Sequence, residues 1–390
     1  MKKIVFLGYV VSPDKAGGSV AGNKMQWNTV GQLSALEDIE ITCVTVTPMA
    51  TYPRNKTIFH KAKIDPLFPG ADAHRVAFWN LPIIKQFSQS FRVFRTAKKL
   101  IRKNGADTLF CFNLFPQIGL PMRWLKRKFP QLDTVCLLAD LPIDDNPNRK
   151  GFSKLLRARF DRSTWKSMAK CDRYVALNEN AMKTYLPDKP YIIVDGGIDP
   201  EEFTATPAGW DGKEKNIIYT GALVDYSGIM NLISAMELIE DKSVVLDIYG
   251  DGLLRSQIEA IAVENPRIRY RGRVSNKEAM AAQQSAWLLA NPRPVLSDIA
   301  QVTFPSKIFE YLMSGRPVMT TRLNGFSKDY DDILFWTEGE TPEALASTVN
   351  KICAIPDDQL SLRAQNARAY MLTHKTWAQN AKKIREFLTM

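Results

Sequence analysis

The sequence FPSKIFEYLMSGRPV at residues 304–318 combines a polar loop, a short helix and the start of a strand. Lys307 opens the helix and Glu310 lies one turn further along, before Gly315 ends the helix and Val318–Thr321 forms a strand. Backbone amides at the start of a helix, with a lysine beside them, favour phosphate. A carboxylate one turn later is placed to accept hydrogen bonds from vicinal hydroxyls, such as those of a ribose. The stretch therefore predicts a loop–helix–strand unit that binds a nucleoside diphosphate.

Strands and helices alternate on both sides of this stretch, throughout the second half of the chain. Such alternation is typical of a parallel sheet with helices on both faces. The predicted strands are Asn216–Thr220, Val244–Tyr249, Ile268–Arg271, Trp287–Ala290, Val318–Thr321 and Leu334–Trp336. The predicted helices are Gly228–Ile239, Leu253–Glu264, Asn276–Gln284, Pro342–Ala354, Gln359–Leu372 and a final helix, Thr376–Leu388, that is expected to pack back on the first half.

The first half shows the same alternation, and a chain of 390 residues is long enough for two domains. The N-terminal apolar run is interpreted as a buried strand and not as a signal peptide, because Pro13 and Asp14 follow it. Residues Met49–Asn80 are expected to form loops with one short strand near Arg75–Phe78. The predicted strands are Lys3–Tyr9, Ile39–Thr47, Thr108–Phe112, Thr134–Ala139, Arg173–Leu177 and Tyr191–Val194. The predicted helices are Val20–Leu36, Ile83–Asn104, Pro116–Lys128 and Arg149–Met168.

The composition argues against several classes of protein. No run approaches the roughly 20 apolar residues that are needed to cross a bilayer. The five cysteines are scattered and lack a C-x-x-C pair, which disfavours a disulfide framework or a zinc site and favours a reducing cytoplasm. The three histidines lack metal-ligand spacing, and Asp144-Asp145 and Asp331-Asp332 are interpreted as turn caps in preference to metal ligands. We therefore expect no metal and no cofactor.

Positive charge is concentrated in the first half of the chain. Residues 1–195 hold 31 Lys and Arg against 16 Asp and Glu, whereas residues 196–390 hold 21 against 25. The basic residues alternate with aromatic and apolar ones in Lys85–Lys103, Arg123–Lys128 and Arg149–Lys170. Basic amphipathic helices with aromatic edges favour contact with an anionic membrane surface. The alternative is solvated helix faces over ordinary core stripes, and no recognition motif supports nucleic-acid binding.

Six segments, in this order and spacing, together resemble the two-domain GT-B glycosyltransferases, specifically the large retaining group called family 4. The segments are the Gly17-Gly18 loop, GGIDPEEF at 196–203, YTGAL at 219–223, IYGDG at 248–252, RGRVS at 271–275 and the 304–318 stretch. The resemblance covers essentially the whole chain. It implies two doubly wound, Rossmann-like α/β domains facing a central cleft, with a C-terminal helix crossing back.

The resemblance also implies domain boundaries and an activity. An acceptor-binding, membrane-facing domain is expected at residues 1–195, a nucleotide-sugar-binding domain at 196–372, and the returning helix at 373–390. The implied reaction transfers a sugar from a nucleoside diphosphate to an acceptor hydroxyl, with retention of the anomeric configuration and no metal requirement.

Donor-site residues are implied by position. Glu310 is implied to hold the donor ribose, and Gly18 lets the first-domain loop approach the phosphates because it has no side chain. The other implied contacts are Gly17 in the same loop, Gly221 beside the pyrophosphate, Arg273 and Val274 at the base, and Thr303, Phe304 and Ser306 at the diphosphate.

The chain departs from the family pattern at the diphosphate. The arginine and lysine that the family carries after the glycine are replaced by Ala222 and Ser227. The leaving diphosphate still needs compensating charge, and we expect Arg293 and Lys307 to supply it. Surface positions for these two side chains are the alternative.

Two further positions depart from the family. The first of two glutamates eight residues apart is replaced by Val302, with Asp298 as a possible substitute or a turn cap. A histidine that often follows the strand aligned with Thr134–Leu138 is replaced by Ala139. The next residue, Asp140, is either a catalytic-site group that positions the acceptor hydroxyl or the sugar, or a buried capping aspartate.

The sequence favours a cytoplasmic glycosyltransferase, peripheral at the inner face of the membrane, that builds a bacterial surface polysaccharide or glycolipid. Its expected partners are a nucleotide-diphosphate sugar donor, a sugar or lipid-linked acceptor and an anionic membrane surface, with no nucleic acid. One alternative is a nucleotide-sugar epimerase of the same architecture. Another is a non-catalytic member that binds nucleotide or partner enzymes, which the residues Ala222, Ser227 and Val302 make conceivable.

Overall fold

A computed structural model describes residues 1–12, 20–143, 150–203, 209–295 and 304–390, except for the side chains of Val20 and Phe152. The chain forms two compact units. The first contains Met1–Gly197 together with Trp377–Met390, and the second contains Ile198–Thr376.

The first unit is built on an eight-stranded sheet in the order β10-β9-β8-β7-β1-β2-β5-β4. All neighbouring strands pair in parallel except β4 and β5, which are antiparallel. The strands are β1 Lys2–Gly8, β2 Ile39–Thr45, β4 Lys63–Phe68, β5 Ala71–Arg75, β7 Thr108–Phe112, β8 Asp133–Leu138, β9 Arg173–Ala176 and β10 Tyr191–Ile193, and a separate antiparallel pair is formed by β3 Phe59–His60 and β6 Phe78–Trp79. The central strands are nearly continuous apolar runs because helices cover both faces of the sheet.

The segment Met49–Asn80 contradicts the prediction of loops with one short strand. It contains β3 to β6, and β4 forms a hairpin with β5 that extends the main sheet. The pattern of β4 was missed because Pro66 and two charged residues interrupt it, which an edge strand tolerates and a central strand does not. Gly70, with φ +79°, supplies the turn of the hairpin.

The helices of the first unit include a C-terminal one that confirms the predicted return of the chain. Ile384, Phe387 and Leu388 join the core below β1, and Arg385 pairs with Asp38. The helices are α1 Val20–Ser34, α2 Ile84–Asn104, α3 Pro116–Lys128, α4 Gly151–Met168, α5 Glu179–Tyr185 and α12 Trp377–Thr389. The short α5 was not predicted, and Asn178 caps its first turn by accepting a hydrogen bond from the backbone amide of Ala181.

The second unit is a six-stranded, fully parallel sheet in the order β13-β12-β11-β14-β15-β16. Its strands are β11 Asn216–Thr220, β12 Val245–Tyr249, β13 Ile268–Gly272, β14 Leu288–Asn291, β15 Val318–Thr321 and β16 Phe335–Thr337. Its helices are α6 Ile229–Leu238, α7 Arg255–Glu264, α8 Asn276–Ser285, α9 Lys307–Met313, α10 Pro342–Cys353 and α11 Asp357–His374. Two doubly wound sheets were predicted, and this prediction is confirmed.

Each main sheet has a point where the strand order reverses. In the second unit, β12 and β14 flank β11, and in the first unit β2 and β7 flank β1. Ligands of open parallel sheets bind beyond the carboxyl ends of the strands at such a point. Within the described residues, no helix is both long enough and apolar enough to cross a membrane.

Candidate functional site

The carboxyl edge of the second sheet is shaped by loops whose backbones touch. A Cβ atom on Gly250 would lie 1.8 Å from the carbonyl oxygen of Gly221, and one on Gly228 would lie 1.8 Å from that of Pro292. Both glycines have positive φ, 149° for Gly250 and 74° for Gly228. Only glycine fits where another backbone approaches so closely. The loops after β11, β12 and β14 therefore pack against one another at the point where the strand order reverses.

Lys307 lies directly over the first of these loops. Its Nζ atom donates a hydrogen bond of 3.2 Å to the carbonyl oxygen of Thr220 and sits 4.5 Å from the centre of the Tyr219 ring. A Cβ atom on Gly221 would lie 2.7 Å from the same Nζ atom. The ammonium group is thus held against the end of β11, and a side chain at position 221 would displace it.

Arg293 brings a second positive charge to the same place. It follows β14, and its carbonyl oxygen accepts a hydrogen bond from the hydroxyl of Thr321. The half-buried guanidinium acts electrostatically on both Lys307 and Tyr219. The pKa of Lys307 is lowered to about 8, mainly by burial and also by the positive charge of Arg293, while Glu310 opposes both effects. Two cations that repel each other at one sheet edge form a site suited to an anion.

Helix α9, which carries Lys307, is anchored to β11 by a buried tyrosine. The hydroxyl of Tyr311 accepts a hydrogen bond of 2.9 Å from the backbone amide of Thr220. The side-chain amide of Gln283 donates to the hydroxyl of Thr220 over 3.0 Å, and all three residues are buried. Sequence reasoning missed this network. The available signal was the position of Tyr311 four residues after Lys307, which places both on one face of the helix.

Glu310 lies on that same face, one turn from Lys307. It is half-buried, and its negative charge raises the pKa of Lys307. The carboxylate is therefore part of the charged cluster at this sheet edge. Its assignment to the donor ribose stays a prediction.

The other described residues predicted to bind the donor lie just before α9 or after β13. Ser306 is exposed just before α9, and its side chain does not cap the helix. The ring of Phe304 packs 5.1 Å from Phe309 and 5.0 Å from Phe326, so only its backbone is available to a ligand. The segment Arg273-Val274 follows β13, two strands away from β11.

The structure describes some of the residues that depart from the family pattern, and it also describes Asp331. Ala222 uses its carbonyl oxygen to accept a hydrogen bond of 2.9 Å from the hydroxyl of Tyr219. Ser227 lies in a short 3-10 turn and lowers the pKa of Tyr219, which burial raises to about 12. Asp331 pairs with Arg322 at 2.7 Å. The predicted residues Gly17, Gly18, Asp144, Asp145, Asp298, Val302 and Thr303 lie outside the described residues.

In the first unit, Asp140 follows β8 at the carboxyl edge of the sheet. Asn113, after the neighbouring β7, donates a hydrogen bond of 3.0 Å to its carboxylate and accepts one of 3.0 Å from its backbone amide. Asn113 is fully buried at φ +48°, a conformation that asparagine adopts more readily than most residues. The Asp140 side chain reaches solvent, yet surrounding protein atoms remove part of its hydration and raise its pKa, while the bond from Asn113 lowers it.

A comparison with protein families matches the part of the second unit that contains the Lys307 cluster. Residues 214–354 match the family model described as Glycosyl transferases group 1. This segment of the chain is similar to the group 1 glycosyltransferases. The matched segment contains Gly221, Arg293, Lys307 and Glu310.

Relatives of known sequence and structure extend this comparison. A probable glycosyltransferase of Pseudomonas aeruginosa, WbjE, is 26% identical over 186 residues, which are 43% of this chain and 44% of the relative. The alignment thus spans less than half the length of that curated relative.

Solved structures confirm the GT-B fold of the chain. Sucrose-phosphate synthase from Thermosynechococcus elongatus superposes with a TM-score of 0.69 at 14% identity, covering 99% of this chain and 98% of that one. HepE from Anabaena, solved in complex with UDP, superposes with a TM-score of 0.65 at 14% identity, covering 100% of both chains.

Proposed function

We propose that this protein is a retaining glycosyltransferase that moves a sugar from a nucleoside-diphosphate sugar to an acceptor hydroxyl. The observation that carries the proposal is a pair of cations: Lys307 is held against the glycine turn at the end of β11, and the charge of Arg293, which follows β14, acts on it. A leaving diphosphate gains negative charge as its bond to the sugar breaks. Positive groups fixed at that position stabilise the transition state more than the ground state.

The proposed reaction requires the protein mainly to supply positive charge and to hold the two substrates in position. The bond between the anomeric carbon and the diphosphate oxygen breaks, and the acceptor oxygen bonds to the same face of that carbon. The acceptor proton passes to the departing phosphate oxygen, so no protein nucleophile is required. The side chains then orient both substrates and stabilise the leaving group. Because side-chain cations supply this charge, we expect transfer to continue in EDTA.

The donor contacts follow from the same cluster. Glu310, one turn after Lys307, is proposed to accept hydrogen bonds from the ribose, and Arg273 with Val274 to line the base. The backbones at Phe304 and Ser306, and the loops containing Gly17, Gly18 and Thr303, are proposed to approach the diphosphate. UDP is the first nucleotide to test, because HepE, which shares the fold, was solved with UDP.

The acceptor is proposed to be a lipid-linked glycan in the synthesis of a bacterial polysaccharide or glycolipid. Two features of the first unit support this. Asp140 is a carboxylate with a raised pKa at a sheet edge, suited to hold a hydroxyl. Helix α2 exposes Phe87 and Phe91 together with its basic residues, which suits an anionic membrane surface. We therefore propose a cytoplasmic protein, peripheral at the inner face of the membrane, that sediments with anionic vesicles and not with neutral ones.

A non-catalytic nucleotide-binding role is the second candidate. It is favoured by Ala222 and Ser227, which stand where the family carries a cationic pair. A panel of labelled nucleotide sugars incubated with membrane lipids separates the candidates. Transfer of label into the lipid phase supports glycosyl transfer. Tight nucleotide binding without transfer supports the second candidate, and label in an isomerised nucleotide sugar would indicate an epimerase instead.

A further inference from the structure

A cationic groove lies between the β4–β5 hairpin and helix α2 in the first unit. Its volume is about 760 Å³, and none of its thirteen lining residues is an aspartate or glutamate. Its charged and titratable lining consists of Lys63, His74, Arg75, Arg92, Arg95, Lys99 and Lys103. None of these residues belongs to either candidate site described above.

Two of the cations share one carboxylate outside the groove. Asp65 pairs with Arg75 at 2.5 Å and with Lys63 at 2.5 Å. Arg75 also donates a hydrogen bond of 3.1 Å to the carbonyl oxygen of Val10. These contacts hold the hairpin wall of the groove in place. Helix α2 supplies most of the positive charge of the groove.

The four cations on α2 form a row. Arg92, Arg95, Lys99 and Lys103 are spaced three or four residues apart, which places them along one face of the helix. Within the described part of the chain, these four side chains have no ion pair with a carboxylate. His74 lines the groove together with Lys99 and Lys103. Burial lowers the pKa of His74, Asp72 raises it, and Lys103 and Lys99 lower it further. The like charges repel one another until an anion enters.

Apolar side chains flank the groove. Ile64 lines it and is 60% exposed, and Phe91 on α2 is 50% exposed. The guanidinium of Arg95 lies 5.7 Å from the centre of the Phe91 ring, so the apolar surface begins where the charge ends. An anionic group attached to an apolar chain matches this arrangement better than a free ion does.

We propose that this groove binds the phosphomonoester or diphosphate headgroup of a lipid, through the row of cations on α2. Arginine guanidinium groups bind phosphate oxygens in pairs, and the lysines add point charges around them. The site is independent of the proposed sugar transfer, because it shares no residue with the donor cluster.

The test uses two double variants of the full chain that each remove two positive charges from the first unit. R95Q/K99Q changes the groove, whereas K382Q/K383Q changes exposed residues of α12 that neither line the groove nor belong to the basic helix α2. Each variant and the wild type are sedimented with phosphatidylcholine vesicles that contain 10 mol% phosphatidic acid, and thermal melting checks that each is folded. A second arm titrates inorganic pyrophosphate into R293A/K307A protein, in which the donor cluster is removed, with and without the groove substitutions.

We expect R95Q/K99Q to weaken vesicle binding by about tenfold or more, and K382Q/K383Q by less than about twofold, given the strength of hydrogen bonds to charged groups. Free pyrophosphate should then compete with the vesicles. If the groove binds pyrophosphate but the variants bind vesicles equally, the site recognises a soluble phosphate and the lipid assignment is wrong. Equal losses in both double variants, or no loss in either, would overturn the groove as a site.

Discussion

The carboxyl edges of the two sheets share a topology and differ in charge. In the second unit Lys307 lies over Gly221 at the end of β11, and Arg293 follows the neighbouring β14, close enough for its charge to act on Lys307. In the first unit the strands beyond the reversal, β7 and β8, place Asn113 and Asp140 together. Among the described residues, one edge carries two cations, and the other carries the Asp140 carboxylate supported by the Asn113 amide.

The difference shows that the loops after the strands, and not the sheets themselves, determine the chemistry of each unit. The parallel sheets bring the ends of neighbouring strands together, whatever residues follow them. The loop residues then decide which ligand is favoured. A pair of cations suits a diphosphate, and a carboxylate with a raised pKa suits a hydroxyl. In the account proposed here, the second unit holds the donor and the first unit holds the acceptor.

Removing the positive charge should have the largest effect. We expect Lys307→Ala to lower kcat/KM by about 100-fold, because one preorganised donor to a developing anion contributes on that scale. Arg293→Ala should cause a loss of similar order. Lys277→Ala, which removes an exposed lysine of the same unit, is the matched control. Steady-state kinetics with the identified donor gives the result, and unchanged kinetics in both variants would remove the cations from the mechanism.

Asp140→Asn should change the acceptor side alone. We expect kcat to fall between about 10- and 100-fold, the value of a hydrogen bond to a charged group, while the affinity for the donor stays the same. Asp188→Asn, at an exposed position of the first unit, is the control. A parallel loss of donor affinity would contradict the division between the two edges.

Asn113 offers a finer test of the first edge. Its hydrogen bond lowers the pKa of Asp140, so Asn113→Ala should raise that pKa. Activity that needs the carboxylate is lost as the pH falls through this pKa, and the acid limb of the kcat profile should therefore move to higher pH. A lower plateau with no shift of the limb would indicate a purely structural role.

Glu310→Gln should weaken donor binding by about tenfold, the scale of a lost charge-assisted hydrogen bond. Because Glu310 also raises the pKa of Lys307, calorimetry should be done at pH 6.5, where Lys307 is charged in both proteins. Glu264→Gln, exposed at the end of α7, should bind as the wild type does. Equal affinities for all three proteins would remove the ribose assignment.

The pH dependence of donor binding should be the smallest effect. Burial and Arg293 lower the pKa of Lys307 to about 8, so its charge is lost as the pH rises through that value. Between pH 7.5 and 8.5 the donor should bind about threefold more weakly, as titration of one group requires. The Lys307→Ala protein should lack this change. Glu310 opposes this lowering of the Lys307 pKa.

Much of the fold followed from the sequence because the central strands are nearly continuous apolar runs. The predicted ranges Thr108–Phe112, Asn216–Thr220 and Val318–Thr321 match the structure, and the other predicted strands, except the one near Arg75–Phe78, shift by one or two residues at their ends. The hairpin of β4 and β5 was missed, since an edge strand alternates less clearly and tolerates Pro66.

The site was predictable only in part. The sequence identified Lys307 and Arg293 from the need for charge, and the structure brings their side chains together. The hydrogen bonds of Tyr311, Gln283 and Thr220 join residues far apart in the chain, so no local sequence pattern predicts them. The contact between Asn113 and Asp140 likewise depends on the pairing of β7 with β8, which cannot be read from the local sequence.

The central claim is that Lys307 and Arg293 bind the donor diphosphate, and direct calorimetry tests it. Wild-type protein and the R293A/K307A variant are titrated with UDP, GDP, ADP and dTDP at pH 7. We predict that at least one nucleotide binds the wild type and that the variant binds it at least about 100-fold more weakly, the combined value of two charge-assisted contacts. A nucleotide that binds both proteins with equal affinity would contradict the claim, as would a wild type that binds none of the four.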